Sequence, residues 1–328
     1  MRKKSVILSL VLIIPLLLTS CMASPKVHWG YVDPKGNEVL PAHFQSASPF
    51  REGMAAVRMG DEKTGKWGYI KHNGEWAIEP RFDGTHFFSE GLAAFRVGDE
   101  KTGKWGFVNP EGEVIIEPQF DYTRGFSEGL APVRIGDEVT GTWGFIDKTG
   151  QMVLEAKYAN ATIFRDGLAP VQEAEGKRKW GYIDPAGNFI IEPKFDLATV
   201  FNEQLAPVRM GDELTGVWGY IDPTGEMVIT LPQEYSYPGG FSEGMATFVW
   251  EQEKGQAAFG YINTKGEVVL EPIYGYAYEF KEGLAPVKVG VQADAKWGYI
   301  NKEGTVILEG YWGAGTFEEG LAPVGINK

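Results

Sequence analysis

Apolar and polar positions along this chain recur with one long period. Trp105-Gly106-Phe107-Val108 is followed by the polar group Asn109-Pro110-Glu111-Gly112. An apolar run, Val114-Ile115-Ile116, leads into Glu117-Pro118 and Phe120. The unit ends on Phe126-Ser127-Glu128-Gly129-Leu130-Ala131-Pro132-Val133. The same order returns from Trp29, Trp67, Trp105, Trp143, Trp180, Trp218, Phe259 and Trp297, at spacings of 38, 38, 38, 37, 38, 41 and 38 residues. Self-similarity at such a period marks an array built from one supersecondary unit.

Each part of the unit has a local reading. Trp-Gly-Tyr-Ile is rich in β-formers and apolar on both faces of a pleated strand, which predicts burial on both. Asp184-Pro185-Ala186-Gly187 suits a type I turn. The second strand, Val-Ile-Ile or similar, ends at a proline, which cannot donate to a ladder; the third, Leu-Ala-Pro-Val, contains one that implies an unpaired edge or a bulge. Segments such as Gly60–Gly65 then turn the chain towards the next tryptophan. The 43 glycines fit many tight turns.

Lys66-Trp67-Gly68, Lys104-Trp105-Gly106, Lys179-Trp180-Gly181 and Lys296-Trp297-Gly298 carry a longer signature. The chain resembles the WG (or KWG) repeat family of bacterial proteins over residues 29–328. That resemblance implies an all-β repeat and often a surface location; it implies no reaction. The expected fold is all-β, with eight tandem repeats of about three short antiparallel strands each. Three strands per unit favour an open, solenoid-like array. The alternative is a closed eight-bladed propeller, in which a spare C-terminal strand, Phe317–Val324, pairs with Trp29–Leu40.

The N-terminus reads as an address. Arg2, Lys3 and Lys4 precede an apolar run, Val6–Leu18, too short to span a bilayer comfortably. Leu18-Thr19-Ser20-Cys21 resembles the bacterial lipobox, in which the cysteine after the cleavage point is lipidated. Residues 1–20 are expected to be a lipoprotein signal peptide and 21–28 a lipidated end and short linker. One acyl chain holds a protein only marginally, so firm anchoring needs several. The linker, Met22–His28, reaches at most about 25 Å. Cys21 is the only cysteine, so no disulfide can form within the chain.

Charge narrows the partners. The chain carries 31 basic and 44 acidic residues, a net charge of −13. That balance argues against nucleic acid as a ligand, whose binding rests on neutralising phosphates. Gly60–Lys66 has most of a phosphate-loop pattern, but Trp67 stands where Ser or Thr is needed, and Asp61 and Glu62 would repel phosphate. Asp61-Glu62, Asp99-Glu100, Asp137-Glu138 and Asp212-Glu213 could contribute oxygens to weak calcium binding, although calcium needs six to eight ligands. His28, His43, His72 and His86 fit no metal spacing.

An acid recurs in every copy, at Glu52, Glu90, Glu128, Asp166, Glu203, Glu243, Glu282 and Glu319. Such periodicity points first to a structural role, with the carboxylate accepting backbone N–H groups at a turn; a stripe that binds a basic ligand is the sharper reading. Gln204 stands where other copies have glycine, and positive φ is expected there. The repeat tryptophans and Phe259 are expected in the core. Copies six and seven depart from the pattern: Leu231–Gly240 holds most of an insertion and Glu251–Ala258 lacks the usual turn, departures read here as drift.

No catalytic residue, cofactor or metal is expected. The chain reads as a non-enzymatic, surface-exposed scaffold. It would be anchored by lipid to the extracytoplasmic side of a cell membrane and recognise a protein or an envelope glycan. The alternatives are a purely structural envelope component or a hydrolase built on a propeller.

Overall fold

The computed structural model describes residues 26–61, 63–212, 215–251, 257–292 and 294–327. The expected signal peptide and Cys21 lie outside the described residues, as does most of Glu251–Ala258, the segment read as lacking the usual turn. Among the described residues, no helix is long and apolar enough to cross a membrane.

The described residues form eight four-stranded antiparallel sheets. The third sheet is representative: Tyr122–Thr123, Ala131–Ile135, Thr142–Ile146 and Met152–Tyr158, hydrogen-bonded in that order. The two-residue strand is what the count of three missed. It lies in the stretch between the second strand and the Phe-x-Glu-Gly step, where only two residues pair, Tyr122 with Arg134 and Thr123 with Val133.

The eighth sheet decides between open and closed. It joins Gly313–Ala314 and Ala322–Asn327 to the N-terminal strands Val27–Val32 and Glu38–Phe44. Its seam pairs six residues in unbroken register, from Val27 with Asn327 to Val32 with Ala322. The array is therefore a closed eight-bladed β-propeller, and the expected open solenoid gives way to the ring. With four strands to a sheet, the spare C-terminal strand is no cap; it completes a blade whose other half begins the chain. Val27 and His28, expected in the linker, belong to that seam strand.

Each sequence copy straddles two blades. A copy supplies the third and outer strands of one blade and the inner two of the next. Contacts local in sequence thereby join neighbouring blades. In all eight copies the aromatic ring two residues after the tryptophan position packs on the phenylalanine before the acidic turn. Centroid distances run from 4.7 to 5.0 Å, as for Tyr31–Phe50, Phe145–Phe164 and Tyr220–Phe241. Where that ring is tyrosine its buried hydroxyl donates to a carbonyl of the next blade, as Tyr31 does to Ser48 and Tyr182 to Thr199, both at 2.8 Å.

The Trp-Gly pair has a steric basis. The outer strand bulges as it crosses the third strand, pairing Trp67 with Phe82 but Tyr69 with Ile78. A Cβ on Gly68 would lie 2.5 Å from the Ile78 carbonyl oxygen and 2.8 Å from the Pro80 nitrogen. No side chain fits under the bulge, whatever the backbone angles. The proline of that outer strand sits on a sheet edge, where no N–H is needed for a further ladder.

The proline of Leu-Ala-Pro-Val does not. Pro132, Pro170 and Pro207 lie in second strands, paired on both sides. Their carbonyls point to the inner strand's side and accept there, Pro170 from Thr162 N–H at 3.1 Å. The missing N–H would face the same side, where the inner strand has already ended after two residues. In blade one the position is Ala56, and its N–H is satisfied by the Ser48 hydroxyl at 3.0 Å.

Candidate functional site

Every predicted acid occupies one structural position. Arg51-Glu52-Gly53-Met54 is a two-residue hairpin closed by both Arg51–Met54 backbone hydrogen bonds, with φ of 52° at Glu52 and 78° at Gly53. Positive φ at both central residues is the type I′ turn that matches strand twist. All eight acids have φ between 52° and 57°, a region that costs a non-glycine residue about 1–2 kcal/mol.

The carboxylates explain the repeated strain. Each accepts from the backbone of the equivalent turn one blade on. Glu52 takes Gly91 N–H at 2.9 Å, Glu128 takes Gly167 N–H at 3.1 Å and Asp166 takes Gln204 N–H at 3.1 Å. Glu319 takes Gly53 N–H at 3.1 Å and completes the circuit of eight. Sequence reasoning anticipated a carboxylate bound to backbone at a turn; the turn belongs to the neighbouring blade. Two members also bind lysines, Glu90 with Lys148 at 3.2 Å and Glu243 with Lys302 at 3.1 Å, and His72 Nε2 lies 3.1 Å from the Glu319 carboxylate. Burial acts to raise the Glu243 pKa, but the Lys302 ammonium and the Gly283 N–H outweigh it and hold the carboxyl below its ordinary range. Gln204 has φ of 65°, so the glycine position is indeed left-handed there.

The lysine of the longer signature serves the opposite face. Lys104 bonds Asp121 at 2.6 Å, and the other Asp121 oxygen accepts Gly136 N–H at 2.8 Å. Lys66 with Asp83 and Lys179 with Asp196 repeat the pairing. Lys296 meets Trp312 where the aspartate would stand, its ammonium 2.8 Å from the ring centroid. The aspartates of the Asp-Glu pairs fold their own turns. Asp99 accepts from Lys101 N–H, Thr102 N–H and the Thr102 hydroxyl, and these bonds, the hydroxyl's first, lower its pKa to about 2. Among the described residues no group of three or more His, Cys, Asp or Glu could hold a metal ion. Gly60–Lys66 joins two strands, Met54–Met59 and Lys66–Lys71, and no helix follows it.

Trp105, Trp143, Trp180 and Trp218 are buried, whereas Trp29, Trp67, Trp297 and Phe259 are only partly so. The exception at Phe259 matters. Where blades six and seven meet, a cleft of about 390 Å³ is lined by Tyr237, Gly239, Thr247, Phe259, Tyr276, Tyr278 and Glu279, among others. Copies six and seven, the two irregular ones, supply these residues. Tyr237 is an extra residue beside the inner strand Tyr235–Ser236, with φ of 45° and half its surface exposed. Its ring lies 5.5 Å from Trp218. On the facing side Tyr276 packs 4.6 Å from Phe259 and 5.1 Å from Tyr278, which stacks on Trp297 at 5.6 Å and 25°. Burial, helped by the charges of Tyr276 and Glu279, raises the Tyr278 pKa. The sequence signals for this cleft were the insertion and the lost tryptophan; drift alone does not describe their convergence.

With this geometry established, the comparisons with known proteins fit it. A family of WG-containing repeats matches residues 29–62, 67–100, 105–138, 143–177, 180–213, 218–249, 259–290 and 297–328. The chain belongs to the WG-repeat family. No curated protein matches it in sequence. Among solved structures, a eukaryotic initiation factor is similar at 10% identity and a TM-score of 0.53, over 84% of this WG-repeat chain and 80% of that one. An uncharacterized protein from Listeria monocytogenes is similar at 9% identity and 0.51, over 80% and 93%. The β-propeller domain of the Trilobed protease from Pyrococcus furiosus is similar at 11% identity and 0.52, over 81% and 98%. That domain is described as having an open velcro topology, whereas here strands from both ends of the chain share the eighth blade. At these identities the likeness is one of fold.

Proposed function

We propose that this WG-repeat protein is a non-enzymatic binding scaffold, anchored by a lipid on Cys21 to the extracytoplasmic side of a cell membrane, whose ligand site is the cleft between blades six and seven. One observation carries the reading: the polar residues that the copies share serve the ring, while the residues that break the pattern gather around one open, aromatic cleft. The acids at the turns, the lysine–aspartate pairs and the turn aspartates all have internal partners. The cleft's size falls in the range of small-ligand sites, and aromatic walls with a few polar groups suit recognition. The apolar run and Leu18-Thr19-Ser20-Cys21 support the anchor.

Two measurements test this. Metabolic labelling with a fatty-acid analogue should mark the native chain and not Cys21→Ser; labelling of the variant would overturn the anchor. The native protein should retain material from envelope extracts that Tyr276→Ala does not. Equal retention by both would remove the cleft from the function.

A further inference from the structure

The cleft lies where two positions carry smaller residues than their counterparts between blades two and three. At the junction of blades two and three, His86, Trp105 and Tyr122 fill the space, with centroid distances of 4.8 Å between His86 and Trp105 and 5.6 Å between Trp105 and Tyr122. The equivalent positions between blades six and seven are Gly239, Phe259 and Tyr276. The correspondence is structural: Tyr69 donates to the His86 carbonyl as Tyr220 does to that of Gly239, and Tyr122 pairs with Arg134 as Tyr276 does with Lys288. Where blade two has histidine and tryptophan, blade six has glycine and phenylalanine, and the tyrosine of the following blade, partly buried at Tyr122, is 41% exposed at Tyr276. A Cβ on Gly239 would lie 2.5 Å from the Thr247 hydroxyl, so a side chain there would have to turn that hydroxyl aside.

The walls differ in chemistry. Phe259, Tyr276, Tyr278 and Trp297 lie against one another in a continuous shelf, with ring planes inclined by 25° to 57°. Such a shelf offers extended π faces, unlike rings boxed around one point as a quaternary ammonium requires. Tyr237, in blade six with Phe259, presents a further ring. Thr247 and Glu279 place a hydroxyl and a carboxylate beside these faces. The carboxylate and the net charge of −13 disfavour an anionic ligand. Flat aromatic faces for C–H groups, with hydrogen-bonding groups at their margin, match the two sides of a pyranose ring.

We infer that the cleft binds a sugar ring of an uncharged glycan, with Tyr276, Tyr278 and Tyr237 as stacking platforms and Thr247 and Glu279 as hydroxyl partners. This rests on the cleft being the ligand site of the scaffold. Trp218 and Trp297 touch Tyr237 and Tyr278, so occupancy should alter tryptophan emission.

The test titrates the full chain, in detergent, with the tetrasaccharides of N-acetylglucosamine, cellulose and maltose, reading fluorescence and calorimetric heat. At least one should bind saturably. Tyr276→Ala and Tyr237→Ala should weaken it about tenfold. Phe259→Trp, which refills the cleft while keeping the repeat's own residue, should abolish binding with the circular dichroism unchanged. Tyr122→Ala, the equivalent position between blades two and three, should leave affinity unchanged. Binding of none of the three sugars, saturation by tetramethylammonium instead, or sugar binding that survives Phe259→Trp would each overturn the inference. The scaffold reading is tested separately: cleft-dependent capture of a protein that resists glycosidase treatment would preserve it while removing the glycan, and equal retention by the native protein and Tyr276→Ala would remove both.

Discussion

Two junctions of one ring put equivalent positions to opposite uses. Between blades two and three, His86 stacks on Trp105 at 21° and Tyr122 bridges Trp105 and Trp143. Between blades six and seven, Gly239 and Phe259 leave Tyr276 uncovered beside an open cleft. The backbone circuit is the same at both: Glu90 holds Gly129 N–H at 3.0 Å, and Glu243 holds Gly283 N–H at 3.2 Å. A closed ring tied by backbone contacts can empty one junction without loosening its neighbours. Side-chain volume is thus free to vary where the carboxylates already fix the spacing.

The sharpest way to break the comparison is to remove a regular unit. Deleting Trp105–Thr142 takes out one whole copy in register, and seven blades cannot keep the angles of eight. The deletion should aggregate or lose its cooperative thermal transition. A soluble, compact seven-unit monomer in small-angle scattering would show that the ring adapts as an open array does.

Next come the paired rings. Trp105→Ala empties a buried site and should cost about 3–5 kcal/mol in denaturant titration. Phe259→Ala should cost less than half of that, because Phe259 is only partly buried at the cleft. Equal losses would mean that the two junctions are packed alike.

Acid should act on the filled junction. Burial, first, and the Arg124 charge lower the His86 pKa to about 4, against the hydrogen bond with Thr123. An unfolded histidine titrates near 6.5. Between those values the unfolded chain binds a proton that the folded chain refuses, so stability falls as pH drops through this window. The contribution, up to about 3 kcal/mol, is present above pH 6.5 and gone below about 4. His86→Phe should flatten the change in urea midpoint between pH 7 and 4.5; an unchanged slope would place its origin elsewhere.

The smallest effect concerns the turn that lacks glycine. Gln204→Gly should stabilise by about 1 kcal/mol and raise the melting temperature, because it relieves a left-handed glutamine while keeping its N–H to Asp166. A lower melting temperature would mean that the glutamine side chain contributes more than its backbone loses.

Much of the ring was legible in the sequence, because a 38-residue period and β-forming runs are local properties. The eight units, the positive φ at Gln204 and the turn role of the acids all follow from residue type and position. Other features depended on chain meeting chain. The two-residue inner strand has no pattern of its own and exists only because Ala131–Ile135 offers it a partner. Ring closure hangs on six residue pairs between the two ends of the chain, and no single copy encodes them. The partner of each carboxylate lies one blade away, since a copy is divided between two sheets. Pro132 is tolerated inside a sheet because its neighbouring strand stops short. The cleft is the same lesson at the site: the insertion that holds Gly239 and the loss of tryptophan at Phe259 are visible in the sequence, but only the junction of blades six and seven sets both against Tyr276 and leaves it uncovered.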